Sequence, residues 1–95
     1  MDKLTKQHYE IYLAGDLSRC YEYAFLCKDD NGWKVEITFC TPEKSGKEAL
    51  FVPKALASPA EIDAYIDKLK KLFNGYKEKS LCYFMDEIND SIRAL

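Results

Sequence analysis

Ser58-Pro59-Ala60-Glu61 is the stretch that decides the fold of the second half of this 95-residue chain. A serine oxygen can accept the backbone N–H three positions on, and a glutamate there can return the bond, which forms a capping box. Proline at the first helical position favours the same start because its φ angle is already helical. The stretch therefore predicts an amphipathic helix that ends at Asn74-Gly75 and carries one apolar stripe: Ile62, Tyr65, Ile66, Leu69, Leu72 and Phe73.

A second amphipathic helix is predicted after Gly75, beginning at about Lys77 or Ser80. Because the connection between the two helices is short, we expect them to lie antiparallel as neighbours. The apolar side of the second helix is formed by Leu81, Phe84, Met85, Ile88, Ile92 and Leu95.

The first half of the chain alternates between apolar and polar residues, which is typical of β-strands. Turn-forming residues separate the alternating runs, and Pro53 closes the last one as in an edge strand. The pattern predicts an α+β domain: an antiparallel meander of three or four strands, followed by the two helices packed on one face. The predicted strands cover 9–13, 20–28, 33–40 and 49–52.

The turn between the second and third runs fixes which residues share a face. We predict a three-residue loop, Asp30-Asn31-Gly32, with Gly32 in the left-handed conformation. A two-residue Asn31-Gly32 turn would shift the pairing by one residue and oppose the apolar sets. The three-residue loop pairs Cys27 with Val35 and gathers both apolar sets on one face: Tyr21, Tyr23, Phe25 and Cys27 with Trp33, Val35, Ile37 and Phe39.

Residues 1–28 also fit a second interpretation, with two helices in place of two strands. That alternative leaves a sheet of only two strands, which is thin for a stable domain. We prefer the strands, and the helical alternative stays open on sequence alone. Its first helix would contain Leu4, His8, Ile11 and Tyr12 before Gly15, and its second Leu17, Cys20, Tyr21, Ala24 and Phe25.

Composition and charge indicate one globular domain, residues 1–95. The 14 basic and 16 acidic residues give a net charge of −2, and neither end is a charged tail. The start of the chain lacks the apolar core of a signal peptide, and no apolar run has the length of a membrane span. We therefore expect a cytoplasmic protein with no membrane association, whose four cysteines are reduced.

The residues that could carry chemistry form no catalytic or metal-binding motif. No two cysteines make the Cys-x(2–4)-Cys pair of a zinc site. The single histidine, His8, could activate Cys20 or Cys40, but neither cysteine is followed by a helix start or flanked by the glycines of a nucleophile elbow. Phosphate-binding glycine loops are also absent. We predict that the protein is not an enzyme and takes no cofactor or metal.

Seven tyrosines suggest a different use for the surface. Amphipathic aromatic side chains are enriched in protein interfaces, where they bury a large area at low entropic cost. The sequence thus favours a small intracellular protein-binding module, an adaptor, inhibitor or regulatory subunit, with a homodimer as one form of the same interaction. Residues outside the apolar stripes, or on the second face of the hairpin, are the candidate interface: Tyr12, Leu26, Tyr76 and Tyr83.

A cluster of lysines at the helix–helix connection supports an alternative function, nucleic-acid binding. Lysines can track a phosphate backbone, and sheet aromatics can stack unpaired bases. Only two of the 14 basic residues are arginine, the side chain best suited to bidentate phosphate contacts, so this alternative ranks second. The candidate phosphate patch is Lys68, Lys70, Lys71, Lys77 and Lys79.

Overall fold

The computed structural model of the protein describes residues 7–16, 20–42, 44–77 and 79–95. Four antiparallel strands pair in the order β1-β2-β3-β4, and the helices follow them. The predicted α+β meander is therefore confirmed, and residues 7–16 and 20–28 are strands; Leu4 and Leu17 of the helical alternative lie outside the described residues. The elements are β1 (Gln7–Asp16), β2 (Cys20–Asp29), β3 (Gly32–Cys40), β4 (Ser45–Phe51), α1 (Pro59–Asn74), a 3-10 turn (Leu81–Tyr83) and α2 (Met85–Ala94).

The β2–β3 hairpin closes on a two-residue loop, so the predicted pairing of Cys27 with Val35 is wrong. Asp29 pairs with Gly32, and Val35 lies opposite Leu26. The Asp29 carboxylate accepts the backbone N–H of Asn31 at 2.8 Å, which stabilises the tight turn. A shift of one residue reverses the side of every side chain in β2. The two apolar sets consequently lie on opposite faces of the sheet.

The helices cover the face that carries Ala24, Leu26, Val35 and Ile37, all of them fully buried. Burying the larger three, Leu26, Val35 and Ile37, stabilises the fold by about 1.5–3 kcal/mol each. The helical side of this core consists of Tyr65, Leu69 and Phe73 from α1 and Met85, Ile88 and Ile92 from α2.

Tyr65 also links the two helices by a hydrogen bond. Its hydroxyl donates to the carbonyl oxygen of Ile92 at 3.3 Å. Burial raises the pKa of Tyr65 to about 12, because the charged phenolate is poorly solvated in the core. The core therefore holds this tyrosine as the neutral donor.

A β-bulge in β1 breaks the alternation that the sequence predicted for Tyr9, Ile11 and Leu13. The register shifts between Glu10 and Tyr12, and Ile11 is the extra residue. Ile11 and Tyr12 are consequently both buried, whereas Leu13 is turned to the other face.

The start of α1 has the predicted serine cap, but Glu61 returns its bond to the residue before the cap and not to the backbone of Ser58. The Ser58 hydroxyl accepts the backbone N–H of Glu61 at 3.2 Å, and the Glu61 carboxylate accepts the N–H of Ala57 at 3.1 Å. The helix begins at Pro59 as expected. No helix in the described part of the chain is long and apolar enough to cross a membrane.

The second helix begins later than predicted, at Met85. Phe84, with φ −128° and ψ 24°, is the non-helical residue that separates the 3-10 turn of residues 81–83 from α2. The buried carboxylate of Glu22 joins this turn to β2, since it accepts the backbone N–H of Leu81 at 2.9 Å and of Cys82 at 3.5 Å. β4 also differs from its predicted range of 49–52, since it begins at Ser45.

Candidate functional site

The face of the sheet opposite the helices carries a column of three aromatic side chains on β2. Tyr21, Tyr23 and Phe25 alternate along the strand and therefore point to the same side. The rings of Tyr21 and Tyr23 stack with centroids 5.8 Å apart, and Tyr23 meets Phe25 edge-on at 5.5 Å. The ring of His8 stacks on Phe25 at 6.3 Å. We call Tyr21, Tyr23 and Phe25 the aromatic column.

The strand register places the neighbours of the column in rows across the sheet. Directly paired residues in an antiparallel sheet share a face. We call the surface that these rows form the open face: Leu13, Tyr23, Thr38 and Lys47; Glu10, Phe25, Glu36 and Ala49; His8, Cys27, Lys34 and Phe51; and Tyr21, Cys40 and Ser45.

Two large apolar side chains at the borders of the open face are turned to solvent. Leu13 on β1 is 53% exposed, and Phe51 on β4 is 62% exposed. The aromatic column between them is half-buried by its own ring contacts. The buried residues of α1 and α2 cluster on the other side of the sheet. An apolar surface of this kind is typical of an interaction site.

The charges on the open face are balanced. Glu10 and Glu36 flank Phe25 from the two neighbouring strands, and Lys34 and Lys47 are the basic residues of β3 and β4. Lys34 is already paired, since its Nζ lies 2.7 Å from the Asp29 carboxylate. The hydrogen bond to Asp29 is the main cause that raises the pKa of Lys34, and desolvation opposes it. The open face as a whole is therefore balanced in charge, and its two carboxylates lie beside Phe25.

The structure changes the predicted interface, because three of its four residues are buried. Tyr12 is turned inward at the bulge, and its ring lies 5.7 Å from that of Phe73. Leu26 is in the core because of the hairpin register. Tyr76 is packed beside Phe84, and its hydroxyl donates to the Glu87 carboxylate.

Tyr83 is the predicted interface residue that remains on the surface, with 55% of its area exposed. It lies in the 3-10 turn, away from the open face. The sequence signal for the aromatic column was the alternation of Tyr21, Tyr23 and Phe25. The predicted register assigned those side chains to the core.

The structure brings part of the predicted phosphate patch together, since Lys77 lines one groove with Lys70 and a second groove with Lys79. Successive helical residues are about 100° apart, so Lys68 and Lys70 project about 200° apart around α1. Lys70 and Lys77 line a groove beside β1, which Glu10 also lines. Lys79 lies over the ring of Phe84 at 5.2 Å. Lys68 and Lys71 are exposed on α1.

The two cysteines that the sequence offered as partners of His8, Cys20 and Cys40, are not its neighbours across the strands. His8 lies opposite Cys27, rather than opposite Cys20 or Cys40. Cys27 is buried, and its thiol donates to the carbonyl of Phe25 at 3.8 Å, which is the contact of a packed thiol. The four cysteines, all within the described residues, form no disulfide with one another. The described residues contain no group of three His, Cys, Asp or Glu side chains that could hold a metal ion.

Comparisons of this chain with protein-family models, curated proteins and solved structures found no match. The open face is therefore the candidate site on the strength of its own geometry: exposed apolar borders, a half-buried aromatic column and balanced charge.

Proposed function

We propose that the protein is a non-enzymatic protein-binding module, and that a near-neutral, apolar surface of a partner protein covers the open face. An adaptor, an inhibitor and a regulatory subunit all act in this way. The observation that carries the proposal is the aromatic column between the exposed side chains of Leu13 and Phe51.

The aromatic column supplies the binding energy in this proposal. Tyrosine and phenylalanine rings that are already packed side by side lose little conformational freedom when a partner covers them. Tyr23 is the central ring, in contact with both Tyr21 and Phe25. Central aromatic residues surrounded by other contacts are the usual energetic hot spots of protein interfaces, where truncation costs about 2 kcal/mol or more.

The charge pattern favours a protein over a nucleic acid. Bases could stack on the rings of the column, but their phosphates would then approach Glu10 and Glu36 on either side of Phe25. The Lys34 ammonium is engaged by Asp29 at 2.7 Å. Nucleic-acid grooves instead surround their stacking rings with free positive charge.

The proposal places the module in a reducing compartment such as the cytoplasm. Cys20 and Cys40 are partly exposed and are free thiols, and such thiols persist where glutathione keeps them reduced. The contact of the buried Cys27 thiol with the Phe25 carbonyl supports a packing role for the cysteine nearest His8.

A pull-down with the tagged full chain as bait tests the proposed function. The captured proteins and nucleic acids are both identified, at low and at high salt, from a lysate of the protein's source. Two variants accompany the wild type. Tyr23→Thr removes the central ring and introduces a β-branched residue, which strands also favour. Lys70→Ala removes a charge from the groove beside β1.

We expect a discrete protein that high salt does not release, that Tyr23→Thr loses and that Lys70→Ala retains. A second copy of this chain would satisfy the same criteria, and its mass in light scattering would identify a homodimer. Nucleic acid that salt releases and that Lys70→Ala weakens would refute the proposal, because counterion release makes phosphate binding fall steeply with salt.

A further inference from the structure

The two edges of the sheet differ in how well they are protected. β1 has a bulge at Ile11, and α1 packs against it. Both features make an edge strand less able to pair with a strand of another chain. β4 pairs with β3 without a register shift from Ser45 to Phe51, and β3 is its partner strand in the described chain. The outer edge of β4 is consequently regular and open.

The hydrogen bonds of β4 show which backbone groups this edge offers. The N–H of Val52 donates to the carbonyl of Trp33 at 3.0 Å. Because antiparallel residues alternate between bonded and non-bonded pairs, Leu50 and Glu48 also point their N–H and C=O groups at β3. The corresponding groups of Lys47, Ala49 and Phe51 point outward.

A groove runs beside β4 on the helix side of the sheet. Tyr83, Phe84 and Met85 are among the residues that line it. Carboxylates border the same groove: Glu48 from β4, and Asp86 and Glu87 from the first turn of α2. Lys44 is the basic residue among those that line it.

We propose that the outer edge of β4 and this groove accept an extended basic segment of a partner protein as a fifth strand. In such a strand, alternate side chains point to opposite faces. Lysine or arginine on one side would meet the Glu48 and Asp86 carboxylates and lay its aliphatic stem against Tyr83. Apolar residues on the other side would extend the open face beside Ala49 and Phe51.

The charges also decide against a second copy of β4 as the occupant. The middle residue of β4 is Glu48. Antiparallel pairing of two copies about the strand centre would put Glu48 opposite Glu48, and like charges directly opposite destabilise a sheet. A basic segment would instead place a positive side chain opposite Glu48, which is an attractive contact. This site is separate from the aromatic column and goes beyond the proposed function.

The test uses the full chain and two synthetic peptides, Lys-Val-Lys-Val-Lys-Val and the matched Glu-Val-Glu-Val-Glu-Val. Backbone amide NMR spectra locate the binding, and hydrogen exchange reports new protection of the outward N–H groups. Ala49→Pro removes an outward N–H without touching the bonds to β3, since proline is tolerated at a sheet edge. Ala55→Pro, in the exposed loop after β4, is the matched control.

We expect the lysine peptide to protect the amides of Lys47, Ala49 and Phe51, and the glutamate peptide to leave them unchanged. Ala49→Pro should abolish binding, and Ala55→Pro should retain it. Glu48→Lys should raise the dissociation constant about fivefold, whereas Glu36→Lys on the open face should not. Equal binding of both peptides, no binding of the lysine peptide, or protection elsewhere than β4 would overturn the inference.

Discussion

The carboxylate of Glu22 in β2 accepts the backbone N–H of Leu81 at 2.9 Å, across 59 positions of sequence. Glu22 is a charged residue buried in the face of the sheet that the helices cover. The contact ties the segment between α1 and α2 to the centre of the sheet. This contact lies on the face that the helices cover, whereas the aromatic column lies on the opposite face.

Glu22→Ala should destabilise the protein by about 2–3 kcal/mol, because the N–H groups of Leu81 and Cys82 lose a charged acceptor and remain buried. Glu22→Gln keeps one oxygen and should cost less. Urea denaturation measures both effects. Glu36→Ala, on the open face, is the control and should change the free energy of unfolding by less than about 0.5 kcal/mol. Equal effects at the two positions would contradict this role for Glu22.

Gly15→Ala should destabilise the protein more than Gly32→Ala. Both glycines have positive φ angles, 94° and 114°, so both substitutions strain the backbone by about 1–2 kcal/mol. A Cβ at Gly15 would also lie 2.3 Å from the carbonyl oxygen of Cys20, whereas at Gly32 its nearest neighbour is the Phe51 ring at 3.9 Å. Thermal unfolding of the two variants provides the comparison. A lower melting temperature for Gly32→Ala would contradict the close approach of the Gly15 backbone to Cys20.

The stability of the fold should fall as the pH rises from about 10 to about 12. Burial raises the pKa of Tyr65 and of Tyr76 from 10 to about 12, and the hydrogen bond to Glu87 adds to the effect at Tyr76. In that range the unfolded chain has lost protons that the folded chain still holds, so a rise in pH favours unfolding. The free energy of unfolding, measured by urea from neutral pH to about pH 12, should be flat and then decline.

Tyr65→Phe and Tyr76→Phe provide the control for this pH dependence, because phenylalanine cannot ionise. The double variant should be less stable at neutral pH, since the hydroxyls of both tyrosines make hydrogen bonds. Its stability should nevertheless decline less steeply in alkali. An unchanged slope would mean that other groups cause the alkaline unfolding.

The parts of the fold that the sequence predicted are those that depend on local interactions. The start of α1 follows from Ser58, Pro59 and Glu61, which lie within one helical turn. The strands follow from alternation. The hydrogen bond between Glu22 and the 3-10 turn before α2 joins residues that are distant in sequence, so no local pattern predicts it.

The register of the β2–β3 hairpin explains why the aromatic surface was predicted in the wrong place. Both faces of β2 are apolar enough to be core, since Ala24 and Leu26 alternate with Tyr23 and Phe25. A loop shorter by one residue exchanges the two faces. In the structure the helices pack against the face that carries Ala24 and Leu26. The larger aromatic side chains of β2 lie on the other face. The alternation of the column was visible in the sequence, but its exposure was not.

The dissociation constant of the captured partner protein for two variants tests the central claim most directly. Tyr23→Thr removes a ring from the open face, and Lys71→Ala removes an exposed side chain from α1, outside both proposed sites. With the fold of each variant verified by circular dichroism, Tyr23→Thr should weaken binding about tenfold or more, and Lys71→Ala should leave it within about twofold of wild type. Weakening by Lys71→Ala with no effect of Tyr23→Thr would contradict the assignment of the open face as the docking surface.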